Sequence, residues 1–160
     1  MENDQFSVSF RMCHPHLNPS RLAAALGWRP SDIWESGDGR RTPAGTPLSG
    51  TYKQSYCTFD VRAPGRNASL DETLALSLDH LDPHGATLRR WANTGGRSEF
   101  FVGLYVKTSA GYVVDAQIMR RCAKLGINFG LLIILGKRPA YVMRSGNILR
   151  HASAIRRRLR

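Results

Sequence analysis

The chain has 160 residues, 42% of them hydrophobic and 22% charged, with a formal net charge of +11. That balance fits one folded globular domain and not a disordered chain. No apolar run approaches the ~20 residues of a spanning helix, and no basic segment followed by an apolar one opens the sequence, so neither a membrane span nor a signal peptide is expected.

Alternation in FSVSFRM (6–12) sets Phe6, Val8, Phe10 and Met12 against Ser7, Ser9 and Arg11, the period of a half-buried strand. NPSRLAAALG (18–27) follows as a helix. Asn18 caps it, Pro19 takes the first position, Leu22, Ala25 and Leu26 face inward, and Gly27 ends it. SDIWES (31–36) predicts a short strand, and the glycines and prolines from Gly37 to Gly50 predict a loop. TYKQSYCTFDV (51–61) resumes alternation, with Tyr56, Thr58 and Asp60 on one face and Cys57, Phe59 and Val61 on the other. SLDE (69–72) is a capping box, and Leu70, Leu74, Leu78 and Leu81 form one helical stripe that Pro83 and Gly85 interrupt. ATLRRWANTGG (86–96) continues as a second helical piece. EFFVGLYV (99–106) and YVVD (112–115) predict strands either side of a turn. AQIMRRCAKLG (116–126) predicts a helix with Ile118, Met119, Cys122 and Leu125 inward. The nearly continuous apolar INFGLLIIL (127–135) is expected at the centre of a covered sheet.

The order strand, helix, strand occurs twice around the long middle helix. It predicts an α+β fold: a mainly antiparallel sheet with helices on one face, either ferredoxin-like or built of duplicated β-α-β halves. The expected division is a single domain over 1–136 and a basic extension over 137–160, helical at 146–159. Those last 24 residues carry eight Lys or Arg and no acid, leaving 15 basic against 12 acidic residues in the body. In the extension Ile148, Ala152, Ile155 and Leu159 recur at helical spacing among basic residues.

Chemistry is sparse. Gly37-Asp38-Gly39 reads as a turn in which aspartate and glycine shape the bend. It is neither a dinucleotide fingerprint nor a Walker loop. The functional reading of the same stretch is a shallow site where Asp38, Arg40 and Arg41 orient a ligand or partner beside Trp34 and Tyr52. Cys13-His14-Pro15-His16 lacks the spaced pairs of a zinc site, so no metal and no cofactor is expected. Cys13 beside His14 and Cys57 near Asp60 supply an inventory for nucleophilic catalysis without a catalytic signature. Three scattered cysteines suit reduced thiols buried in a core and a cytoplasmic setting.

The order LGWRPSDIWESGD, SGTYKQSYC and FFVGLYVKTSAGYVVDAQIMRRCAKLGINFGLLI resembles the bacterial domain-of-unknown-function family numbered 4279, over roughly residues 5–136. The shared features are a helix ending in Leu-Gly, a Trp followed by Gly-Asp, and a closing helix-Gly-strand unit. The sequence departs at Tyr52, where that family often has Trp, and in FGLLIIL, which lacks the acidic and aromatic residues of the family's last strand. The resemblance implies no activity. The leading expectation is a non-enzymatic module, of immunity or antitoxin-like type, that binds another, acidic, protein. A first alternative is nucleic-acid binding through Arg150, Arg156, Arg157, Arg158 and Arg160. A second is a small-ligand sensor or enzyme using the Asp38 loop.

Overall fold

A computed structural model describes residues 5–65, 67–108 and 111–136. The expected tail helix at 146–159, with Arg150, Arg156, Arg157, Arg158 and Arg160, lies outside them. Seven strands and four α-helices follow in the order β1 (Gln5–His14), α1 (Ser20–Leu26), β2 (Asp32–Trp34), β3 (Gly39–Arg41), β4 (Pro47–Thr51), β5 (Ser55–Val61), α2 (Leu70–Leu81), α3 (Gly85–Asn93), β6 (Arg97–Val106), α4 (Ala116–Leu125) and β7 (Ile127–Leu135), with one 3₁₀ turn, Asp82–His84, between α2 and α3.

Five strands form one sheet in the order β2-β5-β1-β6-β7, and β3 with β4 makes a separate hairpin. β1 runs antiparallel to both its neighbours, β5 and β6, while β6 and β7 are parallel. The fold is α+β with a mainly antiparallel sheet. Each half holds one β-α-β unit with parallel strands. In β6-α4-β7 the two strands touch, and in β1-α1-β2 strand β5 lies between them.

The core sits between one sheet face and the helices. Phe59, Phe10 and Phe100 stand side by side on β5, β1 and β6, with ring centroids 6.2 and 5.2 Å from Phe10. Leu70, Leu74, Leu78 and Leu81 of α2, Leu88 and Trp91 of α3, and Ile118, Cys122 and Leu125 of α4 close over them. The capping box forms as expected: Glu72 N–H donates to Ser69 Oγ, and Ser69 N–H to Glu72 Oε2. Gly126 ends α4 at φ 70°, a left-handed conformation that glycine adopts without penalty. Arg121 joins α4 to the end of α2 by donating to Asp79 and Asp82, each at 2.6 Å.

Several expectations are corrected. Ala25 is exposed and Ala23 takes its place on the inward face of α1, and the expected loop from Gly37 to Gly50 contains the β3–β4 hairpin. YVVD is no strand: among the described residues, 111–115 join no sheet, Val113 is 86% exposed, and Asp115 caps α4 by accepting from Gln117 N–H. Met119 faces solvent, because the inward stripe of α4 is Ile118, Cys122 and Leu125 alone. β7 lies at the edge of the sheet, with Leu131, Ile133 and Leu135 exposed, and β1 takes the centre. The parallel crossover through α4 adds β7 beside β6, and no described strand lies beyond it.

Candidate functional site

β2 carries Trp34 opposite Tyr56 of β5. The two rings stack at 4.4 Å, and Tyr52 stacks on the other face of Trp34, also at 4.4 Å. Trp34 Nε1–H donates to Gln54 O. This three-ring column anchors the hairpin. Tyr52 N–H donates to Asp38 O, and Gly37 N–H to Tyr52 O, both at 2.9 Å. The Tyr52 hydroxyl accepts from Arg41 N–H and donates to Arg41 O, each at 3.3 Å. Asp38 Oδ2 accepts from Glu35 N–H at 2.8 Å, so its carboxylate shapes the bend between β2 and β3.

Trp34, Asp38, Tyr52 and the Arg41 backbone therefore meet in one unit. Arg40 runs along the hairpin instead, its Nη1 donating to Ser49 O at 3.5 Å. Among the described residues Asp38 forms no ion pair with Arg40 or Arg41. The five residues shape a projection, not a cleft. Every residue of β3 and β4 is exposed.

A cavity of 360 Å³ lies elsewhere, between α2, the residues after α1 and the end of β5. Trp28 and His80 stack there at 4.8 Å, and His80 Nε2–H donates to Leu26 O at 2.7 Å. Thr73 and Ser77 on its wall donate their hydroxyls to backbone carbonyls of their own helix.

The helix-free face of the sheet holds residues that the alternating pattern marks only as outward-facing. Thr58, Arg11 and Glu99 stand side by side on β5, β1 and β6. The Arg11 side chain is only 5% exposed. Its guanidinium carbon lies 3.6 Å above the Phe101 ring centre, and its Nη1 is 3.7 Å from Glu99 Oε1, too long for a hydrogen bond. Opposite Phe101 stands Gly130 of β7, where a Cβ would come within 3.1 Å of the ring, so glycine leaves the room that the Arg11–Phe101 stack occupies. Burial pulls the Arg11 pKa down, opposed by Tyr56 and Glu99. Burial also pushes the Tyr56 hydroxyl up to about 12, against the neighbouring Arg11 charge. Sequence reasoning missed this cluster. Its signal, a lone arginine in an otherwise small and apolar strand, acquires meaning only from cross-strand partners.

The Cys13–His16 stretch serves local structure. His14 Nδ1 accepts from His16 and Leu17 N–H groups, and its Nε2 meets Thr94 Oγ1 at 3.2 Å, so both ring nitrogens are engaged. Burial raises the Cys57 thiol to about 12 and the Cys122 thiol to about 11, the reverse of what a nucleophile needs. Among the described residues no group of three or more His, Cys, Asp or Glu is placed to hold a metal ion, and no helix is long and apolar enough to cross a membrane.

The model of the family described as Domain of unknown function (DUF4279) matches residues 4–136, which is most of the chain. No curated protein and no solved structure matches it.

Proposed function

The chain belongs to the DUF4279 family, and within it we propose a non-enzymatic protein-binding module whose docking surface is the β3–β4 hairpin and its aromatic column. One observation carries this reading: all residues of both hairpin strands are exposed, yet the hairpin is fixed to the sheet edge through Tyr52, Trp34 and Tyr56. A two-stranded hairpin is marginal by itself in water, and one that buries nothing of its own adds little to the core. Tyrosine, tryptophan and arginine are the residue types that dominate binding hot spots. Arg40, Arg41 and Lys53 outnumber Asp38 and Glu35 there by three to two, a small positive excess that suits an acidic partner of the kind that an immunity or antitoxin-like inhibitor would meet.

The test is capture from the native cell extract at moderate salt, with immobilised wild type beside Tyr52→Ala and an Arg40→Glu, Arg41→Glu double variant. One acidic protein held stoichiometrically by wild type and released by both variants is the expected result. Capture of no stoichiometric protein, or equal capture by all three, sinks the reading.

A second reading rests on the charge of residues 137–160, which we propose as an extension separate from the domain over 1–136. Arg150, Arg156, Arg157, Arg158 and Arg160 would contact phosphates, and such binding must fall steeply with salt. Electrophoretic shifts of the full chain and of a chain ending at Gly136 decide it; equal shifts, or none, remove it.

A further inference from the structure

We propose that the helix-free face of the sheet is a carboxylate receptor centred on Arg11. The inference goes beyond the hairpin reading and does not depend on it.

The starting point is an unfinished set of hydrogen bonds. Arg11 Nε and Nη2 are buried and have no partner. They belong to the edge of a guanidinium that, through two parallel N–H groups, matches the two oxygens of a carboxylate. The remaining contact of the group, Nη1 to Glu99 Oε1 at 3.7 Å, is a loose ion pair without a hydrogen bond. Buried donors are ordinarily satisfied, and a buried charge without close compensation is costly. Two N–H groups on one guanidinium edge therefore point to an acceptor that the described residues do not supply.

The surroundings are built to hold that edge in place. Phe101 stacks beneath the guanidinium, and Gly130 gives Phe101 its space. Beside Arg11 on the next strand, the Tyr56 and Thr58 hydroxyls are buried without a hydrogen bond of normal geometry. Either can turn its proton toward an incoming oxygen. Tyr56, like any tyrosine, is a neutral donor at physiological pH, and burial raises its pKa further, to about 12. Access lies on the Glu99 side, where that side chain is 40% exposed. Glu99 can turn into water as a second carboxylate takes the guanidinium. Its charge lies at Nη1, beside the Nε–Nη2 edge and not on it, so it opposes an incoming carboxylate by like-charge repulsion.

A single guanidinium favours a monoanionic, planar ligand over a phosphate dianion, whose second charge would meet Glu99 unopposed. A carboxylate reaches the site either as a free small acid or as an acidic side chain of another protein. The cluster and the aromatic column share Tyr56, so the two surfaces are contiguous.

The test uses the full chain labelled with ¹⁵N-arginine, observing the Arg11 Nε–H signal. Sodium acetate is titrated against sodium chloride at equal ionic strength. In parallel, an end-blocked pentapeptide with one Glu is compared with its Gln counterpart. A saturable shift with acetate or the Glu peptide, absent with chloride and the Gln peptide, is the expected result. Response to acetate alone identifies a free acid as the source, and response to the Glu peptide alone identifies a protein side chain. Glu99→Gln removes the opposing charge and should tighten binding about threefold to tenfold, while Tyr56→Phe should weaken it by a similar factor. Arg11→Lys removes the observed Nε–H and identifies the Arg11 signal by its disappearance. Failure of acetate and the Glu peptide to saturate, an equal response to chloride, or weaker binding in Glu99→Gln would overturn the proposal. The Glu99 and Tyr56 variants keep it decidable if Arg11→Lys does not fold.

Discussion

The two faces of the five-stranded sheet are made by the same three central strands, one residue out of step. On the helix-covered face Phe59, Phe10 and Phe100 fill their space completely. On the other face, one position along, Thr58, Arg11 and Glu99 are buried or half-buried yet leave donors unused. Neighbouring residues of a strand point to opposite sides, so one register can serve two purposes. The first face contributes the stability that lets the second remain incompletely satisfied.

Breaking the covered face should have the largest effect. Phe10 is fully buried and touches Phe59, Phe100 and Trp28. Phe10→Ala should cost about 3–5 kcal/mol, read as a fall in the urea midpoint. A loss under about 1 kcal/mol would mean that the phenylalanine row is not the packed centre.

Alkaline pH probes both faces together. Tyr56 and Cys57, adjacent residues on opposite sides of β5, are each pushed up to about 12 by burial, from 10.0 and 9.0. The native state therefore holds these protons more tightly than the unfolded chain does. Their stabilisation is full below about pH 9 and is lost as pH rises toward 12. Tyr56→Phe should remove its share of the decline, about 2–3 kcal/mol at most. Urea midpoints at pH 8 and pH 11, measured for both proteins, check this. An unchanged alkaline slope in Tyr56→Phe would refute the assignment.

The open face should answer with the opposite sign. Arg11→Met replaces an incompletely paired buried charge by an apolar chain of similar length, while Glu99 stays partly in water. The urea midpoint should rise, by about 1–2 kcal/mol in stability. A marked loss would show that Arg11 is a satisfied structural residue, and the contrast between the faces would disappear.

The smallest effect belongs to the hairpin. Asp38→Ala removes the acceptor for Glu35 N–H and should cost about 1 kcal/mol, as loss of a cap does, with Asp38→Asn in between. Normal stability with partner capture abolished in Asp38→Asn would instead give Asp38 a direct role in binding.

Local signals made much of this architecture legible. Ser69 and Glu72 announce the start of α2, Gly126 announces the end of α4, and alternation identifies β1 and β5 with their faces correctly assigned. What failed was position in the sheet. INFGLLIIL is apolar enough for a central strand, but strand order is set by crossover and pairing, which leave no mark in nine residues. YVVD likewise has strand composition without a neighbour to pair with. That Trp34, Asp38 and Tyr52 come together is legible because they flank one loop. Arg11 is not, because a polar residue in an alternating strand looks the same whether water or Phe101, Tyr56 and Glu99 meet it.

The central place of β1 also governs how the chain is assembled in time. Phe10 must await Phe59 for its first strand partner and Phe100 for its second. At ribosomal speeds of roughly 5–20 residues per second, the second pairing comes about 5–20 s after the first strand is made. Throughout that interval a hydrophobic strand has at least one unpaired edge, the condition that invites aggregation. Nascent chains stalled before Arg97 should accordingly remain open to proteases, and those extended past β6 and clear of the ribosome should become resistant together across β1, β5 and β6.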